Sequence, residues 1–180
     1  LRDAIDPRTY HSDAELGDPP EPWPTAGHDA LRSGYRGIET TLSESPTIER
    51  VGPGGGDFYE GPPAVDGEAV YAGIHTQAEP QYVRAFVATG RDGQSRWRRD
   101  WTESSAPAPP TIHGETAFLT RAGRTVAVDR RTAEVRWEYA AGTAGSTPTA
   151  VGDRLYLGGK SLLALDAVTG ERLWRAGAVP

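Results

Sequence analysis

From residue 63 onward, short apolar runs alternate with polar breaks that follow one another too closely for helices. Pro63-Ala64-Val65 and Ala69-Val70-Tyr71 flank Asp66-Gly67, and Pro110-Thr111-Ile112 and Thr116-Ala117-Phe118 flank His113-Gly114. Pro148-Thr149-Ala150-Val151 and Arg154-Leu155-Tyr156 likewise flank Gly152-Asp153. Short runs rich in β-branched and aromatic residues predict strands. A Gly-containing pair between two of them predicts a tight hairpin in which glycine supplies the positive φ.

A second strand pair follows in each copy. It runs from Phe86-Val87-Ala88-Thr89 to Trp97, from Val126-Ala127-Val128-Asp129 to Trp137, and from Leu163-Ala164-Leu165-Asp166 to Trp174. An Asp such as Asp166 can accept backbone N–H groups two or three residues on, and Gly170 can take the left-handed position, so a turn before each Trp has a local cause. Aligned this way, copy one carries Thr89 in place of the Asp and copy two carries Ala133 in place of the Gly, which predicts an imperfect turn in both. The three Trp residues recur 40 and 37 residues apart. Four strands at that spacing are the content and period of a propeller blade, roughly 40 to 50 residues. The expected fold is therefore all-β, a partial β-propeller of about three four-stranded blades near residues 57–100, 104–140 and 144–178.

These residues resemble the repeats of the pyrroloquinoline-quinone-like (PQQ-like) β-propellers. Leu163-Ala164-Leu165-Asp166-Ala167-Val168-Thr169-Gly170-Glu171-Arg172-Leu173-Trp174 is similar to that family's A-L-D strand followed by T-G-x-x-x-W. Trp23-Pro24-Thr25-Ala26-Gly27-His28-Asp29-Ala30 with Arg32-Ser33-Gly34-Tyr35 resembles the lead-in before the first blade, especially of archaeal members. The resemblance implies that Trp97, Trp137 and Trp174 are structural anchors docked between neighbouring blades. The organisation read from it is a lead-in over 23–46 and repeats over 47–180, with an early strand near Thr47-Ile48-Glu49-Arg50. Residues 1–22 show neither strand nor helix period and end in Asp18-Pro19-Pro20-Glu21-Pro22, which predicts an extended, acidic, Pro-rich arm.

Composition narrows the function classes. Among 180 residues, 25 Asp+Glu oppose 19 Lys+Arg for a net charge of -6, the wrong sign for a nucleic-acid binder. No run approaches the ~18 apolar residues of a membrane span. The absence of Cys removes disulfides, thiolate metal sites and a cysteine nucleophile. Leu1 is not an initiator Met, so a processed product or a piece of a longer chain is expected. At about 40 residues per blade, three blades fall short of the four to eight of closed propellers, so further blades from a parent chain, a second chain or the N-terminal arm are expected to cover the open edges. Lys160 is the only Lys, and an acidic, Arg-rich composition suits either a high-salt proteome, as in haloarchaea, or a high-GC genome.

Candidate chemistry is sparse. From first-strand Pro to Trp the copies span 34, 27 and 26 residues, which places an insertion of about seven in Ile74-His75-Thr76-Gln77-Ala78-Glu79-Pro80-Gln81-Tyr82. His75, Glu79 and Tyr82 are candidates to touch a partner, because long loops on rigid scaffolds often carry function; a longer solvated hairpin is the plainer account. Asp57, Tyr59 and Glu60 lie just before the first inner strand and are candidates to face the channel, where paired carboxylates hold cations; a solvated, acidic blade-connecting loop is the plainer account. Gly52-Pro53-Gly54-Gly55-Gly56 lacks the Lys-Ser/Thr pair and helix of a phosphate loop. The four His show no metal-ligand spacing, and Ser104, Ser105 and Ser146 have no assignable base. Arg96, Arg98 and Arg99 around Trp97 read as solvent-facing residues of an outer strand.

Three functions stay open. The first is a non-catalytic scaffold without cofactor that presents its loops to a protein or cell-surface partner, similar to the family's outer-membrane assembly members. The second is a fragment of a quinone-dependent dehydrogenase with bound quinone and calcium, although the adjacent cysteines of that branch are missing. The third is the sensor module of a larger receptor or kinase. The resemblance implies export to the cell surface or envelope.

Overall fold

The computed structural model describes residues 57–76, 83–101, 105–140 and 146–177. They form twelve strands in three antiparallel sheets of four, each in simple sequence order. The first sheet holds β1 (Asp57–Val65), β2 (Ala69–Thr76), β3 (Val83–Gly90) and β4 (Ser95–Trp101). The second holds β5 (Thr111–His113), β6 (Thr116–Arg121), β7 (Arg124–Asp129) and β8 (Val135–Ala140), and the third β9 (Thr149–Val151), β10 (Arg154–Leu157), β11 (Ser161–Asp166) and β12 (Arg172–Gly177). The all-β, blade-like architecture expected from the repeats is the one observed.

The two middle strands of the first two sheets are almost wholly buried, whereas β4 and β8 bury only Trp97 and Trp137. This follows from stacking sheet on sheet: a central strand is covered on both faces and reads as a continuous apolar run, while an outermost strand keeps one side in water. One core lies between the first and second sheets, with Tyr71, Phe86 and Trp97 against Ile112, Leu119, Val126 and Val128. Another lies between the second and third, with Phe118 and Trp137 against Leu155, Leu157, Leu163 and Leu165.

The turns correct three local expectations. In the inner hairpins, Gly114 and Gly152 take the left-handed conformation, but Gly67 does not. There Asp66 shapes a longer connection instead, its Oδ1 accepting the Glu68 and Ala69 N–H groups at 2.7 and 2.8 Å. In the outer hairpins the residue equivalent to Asp129 and Asp166 is Gly90, not Thr89: Gly90 N donates to Gln94 O as Asp129 N does to Glu134 O and Asp166 N to Glu171 O. The first copy's turn is one residue shorter, so Ala88 stands opposite Trp97 where Ala127 and Ala164 stand opposite Trp137 and Trp174. In the second copy Ala133 adopts φ 61, a conformation that disfavours a side chain, to keep the turn in shape.

Candidate functional site

The residues singled out around the insertion are divided by the structure. Glu79 and Tyr82 lie outside the described residues. Asp57 and Tyr59 belong to β1, opposite Thr76 and Ile74, because the first strand begins before the point expected from the Pro63 run. Glu60 and His75, which the sequence separates widely, come together. Glu60 pairs with Gly73, and His75 stands directly opposite Arg84, so the three side chains meet across β1, β2 and β3. Glu60 Oε1 lies 3.2 Å from His75 Nδ1 and accepts from Arg84 Nε at 3.2 Å. The carboxylate thus ties β1, β2 and β3 together. Among the described residues, no group of three His, Asp or Glu side chains is disposed to hold a metal ion.

A second charged site, absent from the expectations, sits between the first two sheets. A cleft of about 380 Å³ is lined by Asp66, Gly67, Glu68, Ile112, Gly114, Glu115 and Arg130. It forms because the β1–β2 turn of one sheet, the β5–β6 turn of the next and the β7–β8 turn that carries Arg130 all lie at one end of the stack. Arg130 Nη1 donates to Asp66 Oδ2 at 2.6 Å, and Nη2 lies 3.2 Å from Glu115 Oε1. Arg131 reaches Glu68 at 2.7 Å and Glu115 at 3.0 Å. Tyr71 completes the cluster, its hydroxyl donating to Asp66 Oδ2 at 2.8 Å.

The electrostatics of this cleft are those of a closed network. The hydrogen bond from Arg131, aided by the nearby Arg130 charge, holds the Glu68 carboxyl at about 2, below its ordinary 4.5. On the neighbouring turn, Arg136 and the backbone N–H groups of Arg131 and Thr132 hold Asp129 at about 2. Burial pushes the Tyr71 hydroxyl above its ordinary range, and its bond to Asp66 pushes it further the same way. The sequence signal was available in the Asp66-Gly67-Glu68 and Arg130-Arg131 pairs, but nothing in a linear reading joins positions 64 residues apart.

The three Trp residues differ in their surroundings. Trp97 Nε1 donates to Arg130 O at 2.8 Å and Trp137 Nε1 to Ala167 O at 3.1 Å, each reaching the same turn of the following sheet. Trp97 and Trp137 are 8% and 9% exposed, while Trp174 is 39% exposed. His113 and Ser146 have structural roles. His113 Nε2 lies 2.7 Å from Gly152 O of the next sheet, and Ser146 Oγ donates to Gly158 O at 2.6 Å and accepts from Gly158 N at 3.0 Å. Of the outer-strand arginines, Arg98 pairs with Asp100 at 2.6 Å and Arg99 approaches Glu138 of the neighbouring sheet at 3.9 Å.

Residues 79–180 match the family described as outer membrane protein assembly factor BamB. Among solved structures, BamB from Moraxella catarrhalis is 25% identical to this chain, with a TM-score of 0.46 over 59% of this chain and 33% of that one. The chain thus spans about a third of the length of that protein. No curated protein matches it.

Proposed function

The chain belongs to the PQQ-like repeat family described as outer membrane protein assembly factor BamB, and from that premise we propose that it is a non-catalytic binding module presenting its loops to a protein partner at the cell envelope. The observation that carries this reading is the state of its charged groups. The cleft between the first two sheets has the size of a ligand site, but its Asp66, Glu68, Glu115, Arg130 and Arg131 are engaged with one another. A site whose charges are paired with one another holds blades together, and recognition then falls to the loops, which often carry function on a rigid scaffold. The inserted segment beyond His75 is the longest departure from the repeat, and the Glu60–His75–Arg84 brace gives it a rigid base.

Two measurements test this. With quinone and calcium supplied, the chain is expected to show no quinone absorbance change and no dye-linked oxidation of alcohols or glucose; calcium-dependent turnover overturns the scaffold reading in favour of the dehydrogenase. In binding to solubilised envelope proteins, replacing residues 77–82 with a two-residue turn is expected to abolish retention of a defined partner while the β circular dichroism stays unchanged. Undiminished retention removes the insertion from the binding surface.

A further inference from the structure

The seam between the first two sheets has unlike ends. At the Asp66 cleft, three carboxylates, Asp66, Glu68 and Glu115, meet two guanidinium groups, Arg130 and Arg131. At the other end, where β2 and β4 finish, the balance is reversed. Gly73, Phe86 and Arg99 form one cross-strand row, and His75, Arg84 and Trp101 form the next on the same face. The second sheet meets them with Arg121 and Arg124, which stand opposite each other two residues beyond the core pair Leu119 and Val126. Among the described residues, the four guanidinium groups at this end face two carboxylates. Glu60 is engaged by Arg84, with His75 alongside, and Glu138 accepts from Arg124 at 3.1 Å and lies 3.9 Å from Arg99. Asp100, the acid of β4, alternates to the other face and pairs with Arg98. Trp101 sits among the arginines: the guanidinium carbons of Arg99 and Arg121 lie 5.9 and 6.0 Å from its ring centroid, and Phe86 packs edge to face with it at 5.7 Å.

We propose that this end of the seam, with Arg99, Arg121 and Arg124 around Trp101, docks an acidic segment of a protein partner. The inference rests on the binding-module reading and names the chemistry of the partner. An excess of guanidinium over carboxylate is complementary to an acidic chain, and the planar guanidinium fork binds a carboxylate with two N–H groups at once. The cluster carries a cost that such a partner offsets. Arg121 is 1% exposed and stands directly opposite Arg124, a like-charge pairing that destabilises a sheet. Stacking of the repeats does not require these charges. At the same end of the second seam, Thr120 and Thr125 share a hydrogen bond at 2.9 Å, and Tyr139 stands opposite Thr125 as Arg99 stands opposite Phe86. That seam closes with hydroxyl groups where the first has guanidinium groups. A short acidic segment also fits the whole chain better than a nucleic acid or an anionic membrane does. The net charge of -6 repels an extended polyanion, whereas a short segment meets only the local cluster.

The test titrates the full chain into a rhodamine-labelled oligoglutamate peptide and reads fluorescence anisotropy. Saturable binding that weakens as salt rises is expected, with none for oligoglutamine. Arg99→Gln and Arg124→Gln, at partly exposed side chains, are each expected to weaken binding about tenfold, the loss of one charge-assisted hydrogen bond. Arg154→Gln, which removes the same charge from the exposed surface of the third sheet, is expected to leave it unchanged. Absence of binding overturns the proposal, and so does an equal loss in all three variants, which would show general attraction only. Binding that appears only when Glu79→Gln and Glu103→Gln are both introduced makes the chain's own carboxylates the occupant and also overturns it. Tighter binding of a DNA oligonucleotide or of phosphatidylglycerol vesicles, lost in the Arg99 and Arg124 variants, assigns the surface to another class of partner with the same result. If these two variants retain the envelope partner as well as the parent does, this surface is excluded while the binding-module reading stands.

Discussion

One residue type at one repeated position does two different amounts of work, and the neighbour decides which. Trp97 and Trp137 fill the seam to the next sheet and satisfy their indole N–H on a backbone carbonyl, whereas Trp174 has the same cross-strand setting and no cover. Truncation of Trp97 or Trp137 to Ala is therefore expected to destabilise by about 3 to 5 kcal/mol, the range for emptying a large aromatic site in a core. Trp174→Ala, which removes a side chain still in contact with water, is expected to fall below about 1.5 kcal/mol on the same scale. Guanidinium titration of the three variants checks the ranking, and three equal losses would contradict it. The glycine of the repeated turn gains a second meaning here. Gly170 is at φ 75 for the turn, and its bare Cα is also what lets the Trp137 ring lie against it.

At the scale of elements, adjacent sheets are joined by charge as well as by the apolar seam. Arg130 projects from the β7–β8 turn into the β1–β2 turn, where both it and Asp66 are largely removed from water. The more exposed pairs around them, Arg131 with Glu68 and Arg136 with Asp129, are of the kind that contributes little and is screened by salt. Because the folded values of Glu68 and Asp129 lie below their ordinary 4.5 and 3.8, their contribution is fully present above those values. It is lost as pH falls through the folded value of about 2, since the unfolded chain takes up protons first. Urea midpoints followed from neutral pH to about 2 are expected to fall less steeply for Glu68→Gln and Asp129→Asn than for the parent, with the difference shrinking at high salt. Parallel curves would remove these pairs from the acid response. The terms are small, so the comparison with each variant, and not the parent's curve alone, carries the information.

For the whole molecule, stacked repeats draw stability from their neighbours, so position in the stack sets how easily each unit opens. The second sheet has a core on both faces, and the third has one on a single face, with β12 exposed along its whole length. Hydrogen exchange is expected to show stronger protection in β6 and β7 than in β10 and β11, with β12 the fastest. Equal protection in the second and third sheets would mean that the stack opens as a single cooperative unit.

Local chemistry determined the strands, the turns and the repeat. Alternation, Gly and Asp at fixed offsets and the recurring Trp act within a few residues of themselves, and the family likeness in Leu163 through Trp174 follows from them. The first copy shows where such reading slips. With no Asp at Thr89 or Gly90, sequence alone could not place the turn, and only the hydrogen bond from Gly90 N to Gln94 O located it one residue on. The tertiary structure alone decided which Trp is covered, that Glu60 meets His75 and Arg84, and that Asp66 meets Arg130. Those outcomes depend on how separate sheets stack, and burial and ion pairing between them are non-local terms that no short-range pattern encodes.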